Sequence, residues 1–486
     1  MKDLRKKTAS GFVFKMLEQL GTRGVNFVIS LLLARLLSPD EYGTIALVTV
    51  FISICDVFVT YGFGNSLVVK KDADHVDFST CLYFGIALSI LFYNIVYVCA
   101  PLLASYYEKD ILKPVIRVMA LRIPIAAVNS VQHAYVSKKM RFNHIFYATV
   151  IGSLVSGILA VVMAFMGFGV WAMVAQYLGT ALISTVCLWI LAKWRPTLSF
   201  SFARLKALYS YGWKILAVGL IDTVYHEIRS LLIAKQYSSE DLAYYNKGNN
   251  FPALGMKLVE PTINGVLFPA LSHCNDDIRE MRSLTRKFTQ LTTYMVFPIM
   301  IGLAVVGAPL IEVLLTEKWL PCVIYLQIGC VAYMFRPLQF VNNCVIKASG
   351  RSDLLLKLDI VKKGFGVILL LLSMDYGVEG IALSLVVTNI VSVFLNILPN
   401  RKLINYGYWA QFKDIFGNLL LALAMGAVTY PLSLLKMNML VILILQILTG
   451  VVFYVVASAL FKNDSFLYIL SFLKKALKDR QTSKEK

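Results

Sequence analysis

Apolar residues run through this chain in blocks of about 20, the length a helix needs to cross a hydrocarbon layer, and short stretches of glycine, proline and charge separate them. That spacing predicts about fourteen membrane-spanning helices. The first six lie near residues 10–37, 42–69, 78–105, 111–136, 143–166 and 169–193, and a basic stretch, "AKWRPTLSFSFARLK", follows them. The next six lie near 207–236, 243–272, 288–315, 320–347, 353–374 and 377–400. "NRKLINYGYWAQFKD" then leads to a last pair near 414–434 and 438–461. The tail "FKNDSFLYILSFLKKALKDRQTSKEK" sets Phe and Leu against lysines at helical spacing, the pattern of a helix lying on a membrane surface.

The chain has 486 residues, 58% of them hydrophobic and only 15% charged, which is too apolar for a soluble protein of this size. The expected fold class is an all-α polytopic membrane protein. A net charge of +19 would suit nucleic acid if it were gathered on a soluble domain. Here the basic residues fall in short segments between apolar runs, among them Lys138, Lys139, Arg141, Arg195, Arg204, Arg279, Arg282, Arg351, Arg401 and Lys402. The alternate loops "SPDEYG", "YEKDILK", "YSSED", "MDYGVE" and "LKMN" are acidic or nearly neutral. Basic residues collect on the cytoplasmic side, so both termini are expected there and no nucleic-acid partner is expected. The eight cysteines are scattered and form no CxxC pair, which points to neither a metal site nor a disulfide framework. No cofactor is implied. The N-terminus has a basic start but no compact apolar core followed by a cleavage site, so it reads as the uncleaved entry to the first span.

One stretch recurs. "LLLARLLSPDEYG" (Leu31 to Gly43) returns as "LLIAKQYSSEDLA" (Leu231 to Ala243), 238 minus 38 or 200 residues later. A looser echo pairs "GFGVWA" at Gly167 with "GVEGIA" at Gly377, at an offset of 377 minus 167, or 210. The first repeat equates span 1 with span 7; six spans is an even number, so two halves would enter the membrane in the same direction. The expected organisation is therefore two parallel six-helix repeats: an N lobe over 1–193, a cytoplasmic linker over 194–206, a C lobe over 207–400, a helix pair over 401–461 and an amphipathic tail over 462–486.

An ionisable group at bilayer depth costs roughly 2.5–3.5 kcal/mol on insertion scales, so each needs a partner, a wet cavity or a route to the surface. Span 1 carries Lys15, Glu18 and Arg23; span 2 carries Asp56; span 4 carries Arg117, Arg122 and His133. Span 7 carries Asp222, His226, Glu227 and Arg229, span 8 Lys257 and Glu260, and span 10 Arg336. Asp222, His226 and Arg229 stand at i, i+4 and i+7, which places them on one helix face and predicts a wet internal wall. Lysines near the span ends, such as Lys15 and Lys257, read as snorkelling to the interface. Asp56, alone among the residues of "FISICDVFV", reads either as a proton or sodium site or as a partner of Arg23. Asp222, Glu260 and Glu18 are the other ion-coupling candidates. Pro252, Pro261 and Pro269 in span 8 predict either an interrupted helix or a plain kink.

Several stretches together resemble the polysaccharide-lipid flippases, of the O-antigen, colanic-acid and teichuronic-acid exporter type, in the multidrug/oligosaccharidyl-lipid/polysaccharide exporter superfamily. The carriers are "LLARLLSPDEYG", "YGFGNSLVVKK", "VLFPALS", "LLTEKWLPCVIYLQI" and "ASGRSDLLLKLDIVKK". The resemblance implies two six-helix lobes around a V-shaped cavity, an extra C-terminal helix pair and alternating access in a bacterial inner membrane. Its implied cargo is an undecaprenyl-diphosphate-linked oligosaccharide repeat unit for surface polysaccharide. Membrane lipids and polysaccharide polymerases are the implied partners, and a proton or sodium gradient is the candidate drive. A diphosphate suits the two-pronged guanidinium, so depth and charge single out Arg23, Arg122 and Arg229 as head-group contacts, with Arg117, Arg336 and His226 beside them.

Two other readings stay in view. Against a multidrug or cation exporter of the same superfamily stands the surplus of deep basic residues, which would repel a cationic drug. A membrane-embedded glycan polymerase or ligase would carry a large outer loop or a clustered acid, base and nucleophile; the outward loops are short and no such cluster, GxSxG, Walker loop or HExxH is visible. The chain is therefore expected to transport rather than to catalyse.

Overall fold

The computed structural model describes residue 18 and residues 21–60, 63–70 and 72–471, and the regular elements among them are all helical. The N-terminal entry with Lys15, and the tail beyond residue 471, lie outside the described residues. The chain forms two compact units, Met1–Ala243 and Tyr244–Lys486. The first holds α1 (21–36), α2 (Pro39–Thr60), α3 (Phe63–Val69), α4 (His75–Tyr106), α5 (Leu112–Met119), α6 (Arg122–Lys138), α7 (Phe142–Phe165), α8 (Val170–Ala192) and α9 (Phe202–Gln236). The helix α10 (Ser239–His273) begins there and continues into the second unit. The second unit continues with α11 (Ile278–Val305), α12 (Gly307–Leu315), α13 (Val323–Met334), α14 (Arg336–Ala348), α15 (Ser352–Leu372), α16 (Gly377–Leu403), α17 (Tyr408–Thr429) and α18 (Met439–Leu460).

Among the described residues, ten helical stretches are long and apolar enough to cross a membrane, which makes this a multi-pass membrane protein. The described part of α1, together with α9, α10 and α15, falls outside that set. Length is not the reason for the last three, since α9 and α10 have 35 residues each and α15 has 21. Their sequences carry the charges: Asp222, Glu227 and Arg229 in α9, Lys257 and Glu260 in α10, and Lys357, Asp359, Lys362 and Lys363 in α15.

The recurring stretch is a helix-turn-helix joint with the same cap in both copies. Ser38 caps α2: its hydroxyl donates to Glu41 Oε2 at 3.0 Å and accepts from the Glu41 backbone N–H at 3.3 Å. Ser238 does the same for α10, donating to Asp241 Oδ2 at 2.6 Å and accepting from the Asp241 backbone N–H at 3.0 Å. This reciprocal cap satisfies donors that a helix start otherwise leaves open, which is why both copies keep a serine and an acid three residues apart. The two joints also touch. Gly43 lies so close to the Ser239 backbone that a methyl group there would overlap the Ser239 carbonyl oxygen.

Small residues also line the α7–α8 seam of the first unit. A side chain at Gly152 of α7 would come within 3.0 Å of Ser184 Cβ on α8, and Ser156 and Thr180 hydroxyls meet at 2.6 Å across the same seam. At the end of this unit where α4 starts, the basic stretch after α8 is packed down. Trp194, 2% exposed, lies in a cluster with Phe78, Leu82, Val131 and Leu205, and its indole N–H donates to His75 Nδ1 at 3.2 Å. Asp77 is fully buried beneath Lys70 at 2.7 Å, while Asp74 pairs with Arg204 at the surface. The hydrogen bond from Arg204 pulls the Asp74 carboxyl down to about 2.

In the second unit, buried amides pair with one another, as a low-dielectric interior requires. Asn342 donates to Gln411 Oε1 at 2.9 Å and accepts from Asn400 Nδ2 at 2.6 Å. The last helix is fixed by tyrosines: Tyr294 donates to Ser458 at 2.8 Å and Tyr454 donates to the Tyr294 carbonyl at 2.8 Å.

The helix breaks associated with proline lie outside span 8. Through Pro252, Pro261 and Pro269, α10 runs as one helix. The expected span 4 breaks instead at Ala120–Leu121, and the expected span 10 breaks at Phe335. In each, a proline follows just inside the next helix, Pro124 in α6 and Pro337 in α14. A proline ring clashes with the carbonyl four residues back and lacks the N–H that would continue the ladder, so the helix stops and restarts. Both restarts fall on an arginine, Arg122 and Arg336.

Candidate functional site

The restart at Arg122 opens onto a cavity of about 1480 Å³ lined by residues of the first unit. Six helices, α1, α2, α3, α6, α8 and α9, contribute to its wall. From α6 come Arg122, Asn129 and His133, spaced to share one face; from α2 come Ser53, Asp56 and Thr60. Asn26 and Ser30 of α1 and the α8 face of Gln176, Tyr177, Thr180 and Ser184 are uncharged and polar. Asp222, His226 and Glu227 come from α9. Tyr42, also in the wall, donates its hydroxyl to the Ser30 carbonyl at 3.0 Å.

Arg122 Nη2 meets Asp56 Oδ2 at 3.2 Å. The pair bridges α6 and α2, with side chains 32% and 15% exposed. Asp56 Oδ1 has no hydrogen-bond partner among the described residues. The carboxylate is thus held from one side by a cation, and its second oxygen is buried without a hydrogen bond among the described residues. The sequence reading offered Arg23 as the partner; the observed one is Arg122.

The expected site residues separate into two groups. Arg122, His226, Asp56 and Asp222 line the cavity, while Arg23, Glu18, Arg117, Arg229, Arg336 and Glu260 are not in its wall. Arg117 donates Nε to the Tyr97 carbonyl at 3.3 Å and lies 4.1 Å above the Tyr97 ring. Arg229 is only 4% exposed and stands 5.6 Å from the Tyr225 ring, with Nε and Nη2 lacking hydrogen-bond partners among the described residues. The expected wall of Asp222, His226 and Arg229 therefore ends after its second member. Arg229 lies about 10 Å further along the α9 axis than Asp222. Arg336 belongs to the second unit, between Tyr333 and Phe340 at 5.0 and 5.5 Å. Glu260, also there, accepts at its backbone carbonyl from Asn264 at 3.2 Å.

The wall carries side chains of both signs. Asp56, Asp222 and Glu227 face one guanidinium, Arg122, and two imidazoles, His133 and His226. Hydroxyl and amide groups, which deep charge does not mark in the sequence, make up much of the lining. Their signal was present: Gln176, Tyr177, Thr180 and Ser184 recur at i, i+1, i+4 and i+8, one polar stripe on an otherwise apolar helix. Such a wall can hydrogen-bond a polyhydroxylated molecule and can hold one anionic group at Arg122 when Asp56 releases it.

The family described as "Polysaccharide biosynthesis protein" matches residues 32–324. The succinoglycan biosynthesis transport protein ExoT of Rhizobium meliloti (strain 1021) is 25% identical over 307 residues, 63% of this chain. That match spans 62% of ExoT, less than two thirds of its length. The teichuronic acid biosynthesis protein TuaB of Bacillus subtilis (strain 168) is 25% identical over 447 residues, covering 89% of this chain and 90% of TuaB. Among solved structures, the fold is similar to that of the lipid II flippase MurJ in an inward closed conformation, with a TM-score of 0.76 at 16% identity over 93% of this chain and 99% of MurJ.

Proposed function

The chain belongs to the polysaccharide biosynthesis protein family, and from that membership we propose that it is a flippase for undecaprenyl-diphosphate-linked oligosaccharide repeat units. It carries them from the cytoplasmic to the outer leaflet of a bacterial inner membrane during surface polysaccharide synthesis. The observation that carries this reading is the large polar cavity inside an otherwise apolar helical unit. Drug-sized ligands occupy pockets of about 300–1,000 Å³, and this one is larger. Relatives named for succinoglycan and teichuronic acid synthesis support the same cargo class. Polar walls let the sugars cross while the polyprenyl chain stays in lipid.

In this reading the helices α1, α9, α10 and α15 span the membrane as well, giving fourteen spans in two six-helix lobes and a C-terminal pair, with both termini cytoplasmic. Their polar residues are tolerated because they face water or protein rather than lipid. Arg122 and His226 contact the cargo. Asp56 is the candidate coupling group: a proton or sodium ion taken up at its second oxygen weakens its hold on Arg122 and releases the guanidinium for the diphosphate. Arg23 and Arg229 remain candidates for the head group outside this cavity. Polysaccharide polymerases are the partners that would consume the translocated unit.

Three carboxylates in the wall favour a second reading, export of organic cations. Vesicles holding the purified protein separate the two. A defined polyprenyl-diphosphate trisaccharide is offered with and without imposed proton and sodium gradients, and a fluorescent organic cation is offered in parallel. Movement of the lipid and not of the cation supports the flippase; the reverse establishes the cation exporter.

A further inference from the structure

Two tyrosines stand in the described lining of the cavity, and they are held differently. Tyr42 gives its hydroxyl to the Ser30 carbonyl at 3.0 Å. Tyr177 of α8 is 37% exposed and makes no hydrogen bond, ring contact or cation–π contact among the described residues. Beside it in the wall, the side-chain amide of Gln176 makes no hydrogen bond among them either. Rotation of α8 is fixed by its seam with α7, where a methyl group at Gly179 would come within 2.9 Å of Ser156 Cβ. The helix therefore holds this ring toward the cavity.

An aromatic ring left bare beside an amide with donors and an acceptor to spare suits a ligand that is apolar on one surface and polar around it. A purely apolar ligand would bury the amide unpaired, and a purely polar one would leave the ring uncovered. A hexopyranose meets both demands. Glucose carries its C2, C3 and C4 hydroxyls around the rim of the ring and shows C–H groups on its faces. Those C–H groups are drawn to the electron-rich face of a phenol ring, while the rim hydroxyls pair with an amide.

Resting on the flippase reading, we infer that Tyr177, with Gln176 beside it, is a sugar subsite that stacks one pyranose ring, and that the ring it takes is the one bonded to the diphosphate. The second part follows from Arg122. Its charge acts on the Tyr177 hydroxyl from the same wall. A diphosphate held by that guanidinium therefore places the first sugar of the unit, rather than the last, over the tyrosine. Tyr177 thereby acquires a role in binding that no ionisable side chain of the wall can fill.

The test measures binding of two lipids to the purified full chain in detergent, polyprenyl diphosphate without sugar and polyprenyl-diphosphate glucose. Wild type should bind the glucose lipid about tenfold tighter. Tyr177→Leu, which keeps the bulk but has no π face, should remove that difference and leave binding of the sugar-free lipid unchanged. Tyr177→Phe should keep most of it, because the ring stacks without its hydroxyl. Equal binding of both lipids by wild type, a difference that Tyr177→Leu leaves intact, equal loss of both lipids, or a Tyr177→Phe as weak as Tyr177→Leu each overturns the stacking site. A difference that appears only when a trisaccharide replaces the glucose overturns the placement next to the diphosphate. The flippase reading is tested apart, by transport of the trisaccharide lipid across vesicles. Transport that Tyr177→Leu leaves at the wild-type rate keeps the flippase and removes the subsite; no transport by wild type removes both. If Tyr177→Leu does not fold, the wild-type ratio and Tyr177→Phe decide.

Discussion

Arg122 and Arg336 stand at matching points of two broken helices and keep different company. Each is the first residue of a helix that restarts ahead of a proline, α6 in the first unit and α14 in the second. Arg122 reaches a carboxylate at 3.2 Å in the wall of a polar cavity. Arg336 lies between two aromatic rings. One backbone device therefore serves two ends: it presents a guanidinium to a carboxylate in one unit and packs it against π-faces in the other. Across the break, α2 supplies the partner of Arg122, whereas the rings beside Arg336 come from the two halves of its own broken helix.

The comparison breaks most visibly by truncation. Arg122→Ala should lower lipid translocation by at least about tenfold, because it removes a cation from a partly buried carboxylate as well as from the cargo. Arg122→Lys should recover only part of it, since a point charge replaces a two-pronged donor. Arg336→Ala should instead cost about 1–2 kcal/mol of stability, the worth of a shielded cation–π contact, with a smaller loss of transport. Thermal unfolding measured beside translocation separates the two, and equal losses of transport would erase the distinction.

A double-mutant cycle sharpens it. Asp56→Asn and Arg122→Gln should couple by about 1–3 kcal/mol in unfolding, below a fully buried pair because both side chains keep some exposure. Additive effects would mean that the 3.2 Å contact carries no energy. If Asp56 is the coupling group, Asp56→Asn should also leave passive equilibration of the lipid in place while abolishing its response to an imposed gradient. A full gradient response in Asp56→Asn would pass the coupling role to Asp222.

The surface pair Arg204–Asp74 supplies the baseline, with the smallest effect. Asp74 titrates lower in the folded protein, about 2, than the roughly 3.9 of an unfolded chain. Its contribution is therefore complete above about pH 4 and fades as pH falls toward 2. Asp74→Asn should change stability by less than about 1 kcal/mol at neutral pH, and this pair should add no slope to stability between pH 5 and 8. A loss as large as that of Arg122→Gln would show that exposure does not rank these pairs.

Hydropathy made the helical fold legible, because a hydrocarbon layer imposes one length and one composition on whatever crosses it. The capped joints at Ser38 and Ser238 were legible as a repeat before they were seen as caps. The breaks at Ala120 and Phe335 are signalled by Pro124 and Pro337, whereas the three prolines of span 8 leave α10 continuous. Proline in a membrane helix is ambiguous locally, since neighbouring groups decide whether the lost hydrogen bond is made good. The Asp56–Arg122 pair joins residues 122 minus 56, or 66 positions, apart, and no local pattern specifies it. The polar stripe of α8 is legible in the sequence, but it carries no charge to mark it as a cavity wall. In a site for sugars, hydroxyls and amides carry that mark equally well.

The most direct test of the account is translocation of a polyprenyl-diphosphate trisaccharide by the purified protein in vesicles, with wild type, Arg122→Ala and Arg336→Ala compared at matched insertion. The account predicts transport by wild type, a loss of at least about tenfold in Arg122→Ala and most of the activity retained in Arg336→Ala. Wild-type rates in Arg122→Ala would contradict it.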